Sequence, residues 1–211
     1  MVISLHTLVD QGNVVLHDVS WEFYEQISRE LADRHNHITF DNGDLEIMAP
    51  VFLSHESWKS WIGQMIEIVC LERNIAARTA GEMTLGRKDL AKALQPGESY
   101  YIQNVSAVSG KKKINLKKDP PPDLAVEVDI TRSSIPREPI YAALKVPELW
   151  RFNGKKLIIL RLDSGQYRTS KSSSAFPFLP MAEFEKFLRR FETQPQTFVA
   201  RAFRDWVKSL E

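Results

Sequence analysis

Cysteine is nearly absent from this sequence. The chain has 211 residues and a single cysteine, which excludes an internal disulfide framework and fits a reducing compartment such as the cytoplasm. Cys70 lies in an apolar helical pattern, so we interpret it as a core residue and not as a nucleophile.

Long apolar runs and an excess of one charge are missing as well. No apolar run approaches the ~18 residues that a membrane span needs, and residues 1–18 lack the basic and apolar regions of a secretory signal. Lys and Arg number 28 against 27 Asp and Glu, so a net charge of +1 indicates no partner by itself. We expect a cytoplasmic protein without a membrane partner, in which only local patches could attract nucleic acid.

The composition is otherwise that of a globular protein. Hydrophobic residues make up 43% of the chain, enough for a substantial core. The length predicts a single domain over residues 1–211, with an N-terminal extension over 1–18 and closing helices over 180–211.

Apolar periodicity predicts an α+β (mixed α/β) fold. Helical spacing covers residues 19–35 and 54–74, and Asn-Gly pairs at 42–43 and 153–154 indicate hairpins between alternating strands. A further helix begins near Pro136, where proline is tolerated in a first turn. The order of helices and strands is typical of an α+β or mixed-sheet domain.

One predicted strand, "DLAVEVDI" at 123–130, combines a buried pattern with acidic residues. Alternation gives it an apolar face and an opposite face with the following residues: Asp123, Ala125, Glu127 and Asp129. A core cannot hold ionised acids without partners. The acids are tolerable if this face lines a cleft that holds cations, and carboxylate oxygens are ligands that Mg²⁺ takes.

A simpler interpretation is a half-exposed strand with water on its acidic face. Strands disfavour Asp, and three prolines fix the approach to this strand, which favours a site. Spacing leaves both metal-dependent hydrolysis and a solvated face open.

Several stretches in order resemble one known family. They are "DLEIMAPVFLSHE", "PGESYYI", "PPDLAVEVDIT", "IYAALKVPELWRF", "FPFL" and "RAFRDWV". Together they are similar to the Uma family, bacterial proteins assigned to the PD-(D/E)XK superfamily of restriction endonucleases, from about residue 20 to the end. The resemblance implies a restriction-endonuclease-like core, a central mixed sheet flanked by helices. It also implies hydrolysis of DNA phosphodiester bonds with Mg²⁺ or Mn²⁺, and a homodimer would suit the cutting of both strands.

The resemblance assigns site residues one by one. Glu127 matches the acid of the superfamily's acid-x-Lys motif, Asp123 matches the Pro-Asp upstream of it, and Asp129 stands where the Lys is usual. The implied metal ligands are therefore Asp123, Glu127 and Asp129, and we expect the first two to converge on one point.

Two positions depart from the family pattern. Relatives have Glu-Pro-Asp where this chain has Gln-Pro-Gly, so Gly97 replaces an acid that binds metal, and Glu98 could substitute only through a bulge. Relatives also carry a Lys where Arg137 stands, and arginine could bind phosphate but not act as a base. The alternative function is therefore an inactive nuclease-fold protein that binds nucleic acid or protein.

Auxiliary residues are suggested near the 54–74 helix. Glu56 matches a position where the superfamily often places another acid, or it is a first-turn Glu favoured by the helix dipole. His55 resembles a recurring family histidine, more often structural than catalytic. His35 and His37 are expected in an exposed turn, without zinc spacing.

A basic run joins the two strands that would carry the site. Its lysines are Lys111, Lys112, Lys113, Lys117 and Lys118. Such a run is usually a solvated loop, and its place beside the site adds the prediction of contact with nucleic-acid phosphates.

Overall fold

The computed structural model describes residues 7–10, 13–31, 36–48, 53–128 and 133–210. In chain order the elements are β1 (Thr7–Asp10), β2 (Asn13–Leu16), α1 (Trp21–Glu30), β3 (His37–Asp41), β4 (Asp44–Met48), α2 (Leu53–Glu72), β5 (Arg78–Thr79), β6 (Leu85–Arg87), a 3₁₀ turn (Lys88–Leu90), β7 (Lys92–Leu94), β8 (Glu98–Tyr101), α3 (Val105–Val108), β9 (Leu124–Val128), α4 (Arg137–Ala143), β10 (Glu148–Phe152), β11 (Leu157–Asp163), β12 (Gln166–Ser170), α5 (Met181–Arg190) and α6 (Gln196–Ser209). The predicted α+β class is confirmed.

The first sheet is antiparallel, in the order β1-β2-β4-β3-β7-β6. Its β3–β4 hairpin confirms the predicted turn, where Asn42 and Gly43 both have positive φ, 50° and 99°, as a two-residue hairpin turn requires. Helix α1 packs on this sheet through Tyr24, whose ring centroid lies 5.2 Å from that of Phe40. Residues predicted as an extension thus supply β1 and β2.

The second sheet is mixed, in the order β12-β11-β10-β9-β8-β5. Strands β9 and β10 pair in parallel, and α4 makes the crossover between them. Helices α2, α5 and α6 form the larger core on one face, and α4 covers the other. Strand β9 therefore lies inside the molecule, with a strand on each side and helices on both faces.

Two sequence-based expectations, the single central sheet and the exposed His37, are corrected. The strands form two sheets, because the first hairpin pairs with the short strands β6 and β7. His37 is 9% exposed because it opens β3 opposite Met48; His35 lies outside the described residues. Strand β8 ends at Tyr101 and α3 follows it. A second hairpin joins β11 to β12.

Cys70 is buried, as its helical pattern predicted. Burial raises the pKa of its thiol to about 11, which keeps it protonated and unreactive. No helix among the described residues is long and apolar enough to cross a membrane.

Candidate functional site

Strand β9 presents different residues to its two faces, and the predicted alternation is confirmed. Leu124, Val126 and Val128 pack in the core with α2, and Ala125 packs in the core beneath α4. Glu127 shares the α4 face and is 7% exposed. Helix α4 therefore covers Glu127. Water does not solvate this carboxylate as it would on a half-exposed strand.

Two side chains of α4 meet the Glu127 carboxylate. Nη2 of Arg137 lies 2.9 Å from Oε1 of Glu127, and the hydroxyl of Tyr141 donates a hydrogen bond to the same oxygen. Burial, and then the charge of Glu127, raise the pKa of Tyr141 well above its ordinary value, so the phenol keeps its proton and remains a donor. The buried carboxylate is thus compensated by a cation and a hydroxyl of the chain itself.

Gly97 faces Glu127, as the resemblance implied for this position. It precedes β8, in which Glu98 is opposite Val126. A Cβ on Gly97 would lie 3.9 Å from Cα of Glu127 and only 2.9 Å from the carbonyl oxygen of Val126. The strands approach too closely here for any side chain, so an acid would require β8 to shift.

Glu98 is not brought to Glu127. Its pairing with Val126 is regular, so no bulge turns it, and its side chain lies on the α2 side of the sheet. Burial raises the pKa of Glu98, and the positive charge of Lys59 lowers it by a smaller amount. Glu98 therefore belongs to a different group of residues.

Lys59 of α2 is the centre of that second group. Its Nζ lies 2.7 Å from Oε2 of Glu56, donates to Glu82, and its side chain is 12% exposed. Burial lowers the pKa of Lys59, but the bonds to the two glutamates outweigh this effect and raise it overall. Sequence reasoning missed Lys59 because it showed only a polar position off the apolar stripe of α2.

Asp123 is held at the other end of β9. Oδ2 of Asp123 accepts hydrogen bonds from the backbone nitrogens of Ile102 and Asn104, at 2.7 and 2.9 Å. Oδ1 accepts one from Nδ2 of Asn104 at 2.5 Å. Four residues of strand separate it from Glu127, about 13 Å. The expected convergence of Asp123 and Glu127 is therefore wrong, because Asp123 closes the turn that follows β8.

Other predicted site residues have varied places. Asp129 lies outside the described residues, as does the side chain of His55. Glu56, in the first turn of α2, does face a charged partner, Lys59. The predicted auxiliary acid is therefore near Gly97 but on the α2 side.

The lysines of the predicted basic run are exposed, in a loop pinned from both sheets. Arg78 of β5 donates to the carbonyl of Lys111 at 2.8 Å, and Arg87 of β6 donates to that of Leu116 at 3.2 Å. Lys111 pairs with Asp119 at 2.5 Å. The loop leaves β8 and enters β9 at the Asp123 end, so the structure does not place it beside Glu127.

A cleft of about 700 Å³ opens where α4 meets β10. Its charged lining residues are Glu127, Arg137, Glu138 and Arg151. Arg151 is in register with Glu127 on the neighbouring strand and contacts Glu138. Each glutamate at this cleft is therefore paired with an arginine, Glu127 with Arg137 and Glu138 with Arg151.

Two further buried carboxylates hold loops together. Glu46 accepts from the backbone nitrogen of Ser134 at 2.6 Å, and Glu148 accepts from Nε1 of Trp150 at 2.6 Å and from Oγ of Ser173 at 2.5 Å. Both are fully buried and satisfied by donors of the chain.

The family model Uma2, described as a putative restriction endonuclease, matches residues 21–194, more than four-fifths of the chain. This chain belongs to the Uma2 family. Among solved structures, a putative nuclease belonging to DUF820 from Anabaena variabilis is similar, with a TM-score of 0.48 and 14% identity over 81% of this chain and 90% of that one. No protein of curated function matches the sequence.

The described residues, which do not include Asp129, supply no complete set of divalent-metal ligands. They contain no group of three or more His, Cys, Asp or Glu side chains that could hold a metal ion. Of the two predicted acids within the described residues, Glu127 is the one that faces Gly97, and Arg137 takes the position of its counter-ion. Mg²⁺ needs several oxygen ligands in octahedral geometry, which these residues do not supply.

Proposed function

We propose that this chain is a DNA-binding member of the Uma2 family in which metal-dependent hydrolysis of phosphodiester bonds is strongly reduced or lost. One observation carries the proposal: Glu127 is paired with Arg137 and faces a glycine at the position where the family resemblance implies an acid. The family match supports a nuclease ancestry and a nucleic-acid partner, and the side-chain contacts support the loss of hydrolysis.

The pairing of Glu127 opposes metal binding for a physical reason. A guanidinium stays protonated at working pH and has no acceptor, so it can neither join a metal shell nor activate a water. Displacing it would leave a buried charge without its counter-ion, which is strongly unfavourable. A divalent ion would therefore have to displace Arg137, which belongs to the same chain as Glu127 and is already paired with it.

DNA is the proposed partner because of the pinned basic loop. Among the described residues, Lys112, Lys113 and Lys118 contact no acid, and their side chains are exposed. The loop enters β9 at Asp123, about 13 Å along the strand from Glu127, a span over which duplex DNA carries roughly eight phosphate charges. We propose that a duplex which extends from the cleft along β9 contacts these lysines.

The test is binding and cleavage of a labelled DNA duplex, with Mg²⁺ or Mn²⁺ present. We expect binding that weakens with salt, and no cleavage. In the triple variant Lys112→Gln, Lys113→Gln, Lys118→Gln, the slope of log affinity against log salt should fall by up to about 3, or 0.9 for each lost contact. A matched control, Lys155→Gln with Lys156→Gln at an exposed hairpin turn, should keep the slope. Cleavage that Glu127→Ala abolishes would contradict the proposal.

A second candidate is an active endonuclease that depends on Mg²⁺ or Mn²⁺. The family match favours it, together with Asp129 two residues after Glu127. A homodimer belongs to this candidate, because two sites are needed to cut both strands, and sedimentation of the purified chain would test it. The cleavage assay separates the two candidates directly.

A further inference from the structure

Two arginines face each other across the outer hairpin of the second sheet. Arg161 of β11 and Arg168 of β12 are paired residues of the antiparallel ladder, and both are exposed. Like charges directly opposite each other on neighbouring strands destabilise a sheet. The hairpin therefore carries a charge arrangement that its own fold does not favour.

Acidic residues of the chain offset this arginine pair only weakly. Arg168 lies 3.2 Å from Asp163, in an ion pair whose side chains are 73% and 56% exposed, and such exposed pairs contribute little. Within the described part of the chain, Arg161 forms no ion pair. Glu148 is in register with Arg161 on β10, but its carboxylate is buried and accepts a hydrogen bond from Trp150. The hairpin thus presents positive charge that the fold leaves available to a partner.

The arginine pair lies at the end of the second sheet that also holds the basic loop, residues 111–118. The register of the strands leads from Arg161 through β10 to Leu124, at the start of β9. The basic loop enters β9 one residue earlier, at Asp123. Three strand spacings of about 4.8 Å separate β9 from β12, so Arg168 lies about 14 Å across the sheet from that point.

The loop that follows β12 is fixed to the same end of the sheet. Gln103, in the turn after β8, donates a hydrogen bond to the carbonyl oxygen of Ala175 at 3.1 Å. Oγ of Ser173 donates to Glu148 of β10 at 2.5 Å. Lys171, directly after β12, is exposed and adds a third cation beside the arginine pair. These contacts connect the turn after β8 to the loop after β12 without any partner molecule.

We infer that Arg161 and Arg168, together with Lys171, form a second contact for the phosphate backbone of DNA, at the same end of the sheet as the basic loop. The inference rests on the proposed function, which supplies the nucleic-acid partner. Guanidinium groups bind phosphate oxygens in a bidentate manner, and a phosphate shared by two arginines offsets their mutual repulsion. A span of about 14 Å corresponds to roughly eight phosphate charges of a duplex, so one duplex can contact both groups of cations.

Salt-dependent binding to a labelled DNA duplex tests the inference. In the double variant Arg161→Gln, Arg168→Gln, the slope of log affinity against log salt should fall by up to about 1.8, or 0.9 for each lost phosphate contact. Arg161→Lys with Arg168→Lys keeps both charges and should keep the wild-type slope. The matched control is Arg29→Gln with Lys88→Gln, which removes two exposed cations from α1 and the 3₁₀ turn and should also keep it.

The stability of the free protein separates this role from a structural one. Arg161→Gln removes one member of the like-charge pair and leaves the ion pair of Arg168 with Asp163 in place. The midpoint of urea denaturation should therefore not fall, because the substitution relieves repulsion. A lower midpoint would show that Arg161 stabilises the hairpin, and it would overturn the inference.

The binding assay also distinguishes the inference from the proposed function. If wild type binds DNA and the double glutamine variant keeps the full slope, the inference is wrong and the proposed function stands. If wild type binds no DNA, the proposed function fails and the inference fails with it. Should the double variant not fold, Arg168→Gln alone replaces it, at a side chain 73% exposed, with an expected fall in slope of about 0.9.

Discussion

A single ion pair explains why β9 tolerates an acid in its buried half. Glu127 and Arg137 have side chains only 9% and 13% exposed, and Tyr141 adds a hydrogen bond to the same carboxylate oxygen. In a low-dielectric interior, loss of one partner leaves the other charge uncompensated. The strand therefore depends on Arg137 for stability as well as for charge balance.

Arg137→Met should lower the free energy of unfolding by about 3–5 kcal/mol, because it leaves Glu127 buried and unpaired. Urea denaturation measures this change. The control is Arg168→Met, which removes an exposed ion pair to Asp163 at 3.2 Å and should cost at most about 1 kcal/mol. Similar small losses in both variants would show that Arg137 does not compensate Glu127.

Glu98 should give stability a specific pH dependence. Burial raises its pKa above the ordinary value of 4.5, so the folded chain holds this proton more tightly than the unfolded chain. Its contribution is present below about pH 4.5 and is lost as the pH rises through the raised folded-state pKa. Glu98→Gln removes that loss, so the variant should gain stability relative to wild type between about pH 4 and pH 7 in chemical denaturation. A stability difference between Glu98→Gln and wild type that is the same at pH 4 and pH 7 would contradict the raised pKa of Glu98.

At the residue scale, the site was predictable where the pattern is local. Alternation along one strand put Glu127 on the correct face, and the resemblance put Gly97 opposite it. The contact of Lys59 with Glu82 spans 23 residues and depends on how a turn packs against α2. Neither periodicity nor motif spacing carries that information.

At the scale of elements, the β8–turn–β9 unit separates two acids that share a strand. Asp123 and Glu127 are four residues apart, so strict alternation along the strand predicts that both side chains lie on the same face. Asp123 instead accepts three hydrogen bonds within the turn, because it lies where β9 begins and the backbone is still changing direction. Alternation predicts a shared face only where the strand is regular at both residues.

Asp123→Ala should lower the free energy of unfolding by about 2–3 kcal/mol, because buried N–H donors lose their acceptor. Thermal or urea denaturation measures the loss. The control is Asp205→Ala on the exposed face of α6, with an expected change within about 0.5 kcal/mol. A loss for Asp123→Ala no larger than for the control would mean that the turn does not depend on this carboxylate.

For the whole molecule, local patterns predicted most elements but not their assembly. The Asn-Gly turns and the apolar stripe of α2 specify hairpins and a core helix by short-range chemistry. The division into two sheets depends on the pairing of Phe40 with Ala93, between a hairpin and a three-residue strand. Strands that short carry too few residues for a period to appear.

We propose a Uma2 protein in which the side chain of Arg137 takes the place of a divalent ion beside Glu127. Arg137 and Lys59 reach the carboxylates from helices on opposite faces of the sheet. The nuclease framework is thereby kept, and its central region is charge-compensated from within. Metal affinity is therefore the property that most directly separates this protein from an active nuclease.

The first measurement is titration calorimetry of the wild-type chain with Mg²⁺ and Mn²⁺, repeated on Glu127→Ala. We predict no binding at ion concentrations up to the millimolar range, with wild type and variant indistinguishable. Binding of one ion by the wild type, lost in Glu127→Ala, would contradict the account and restore a metal-dependent nuclease.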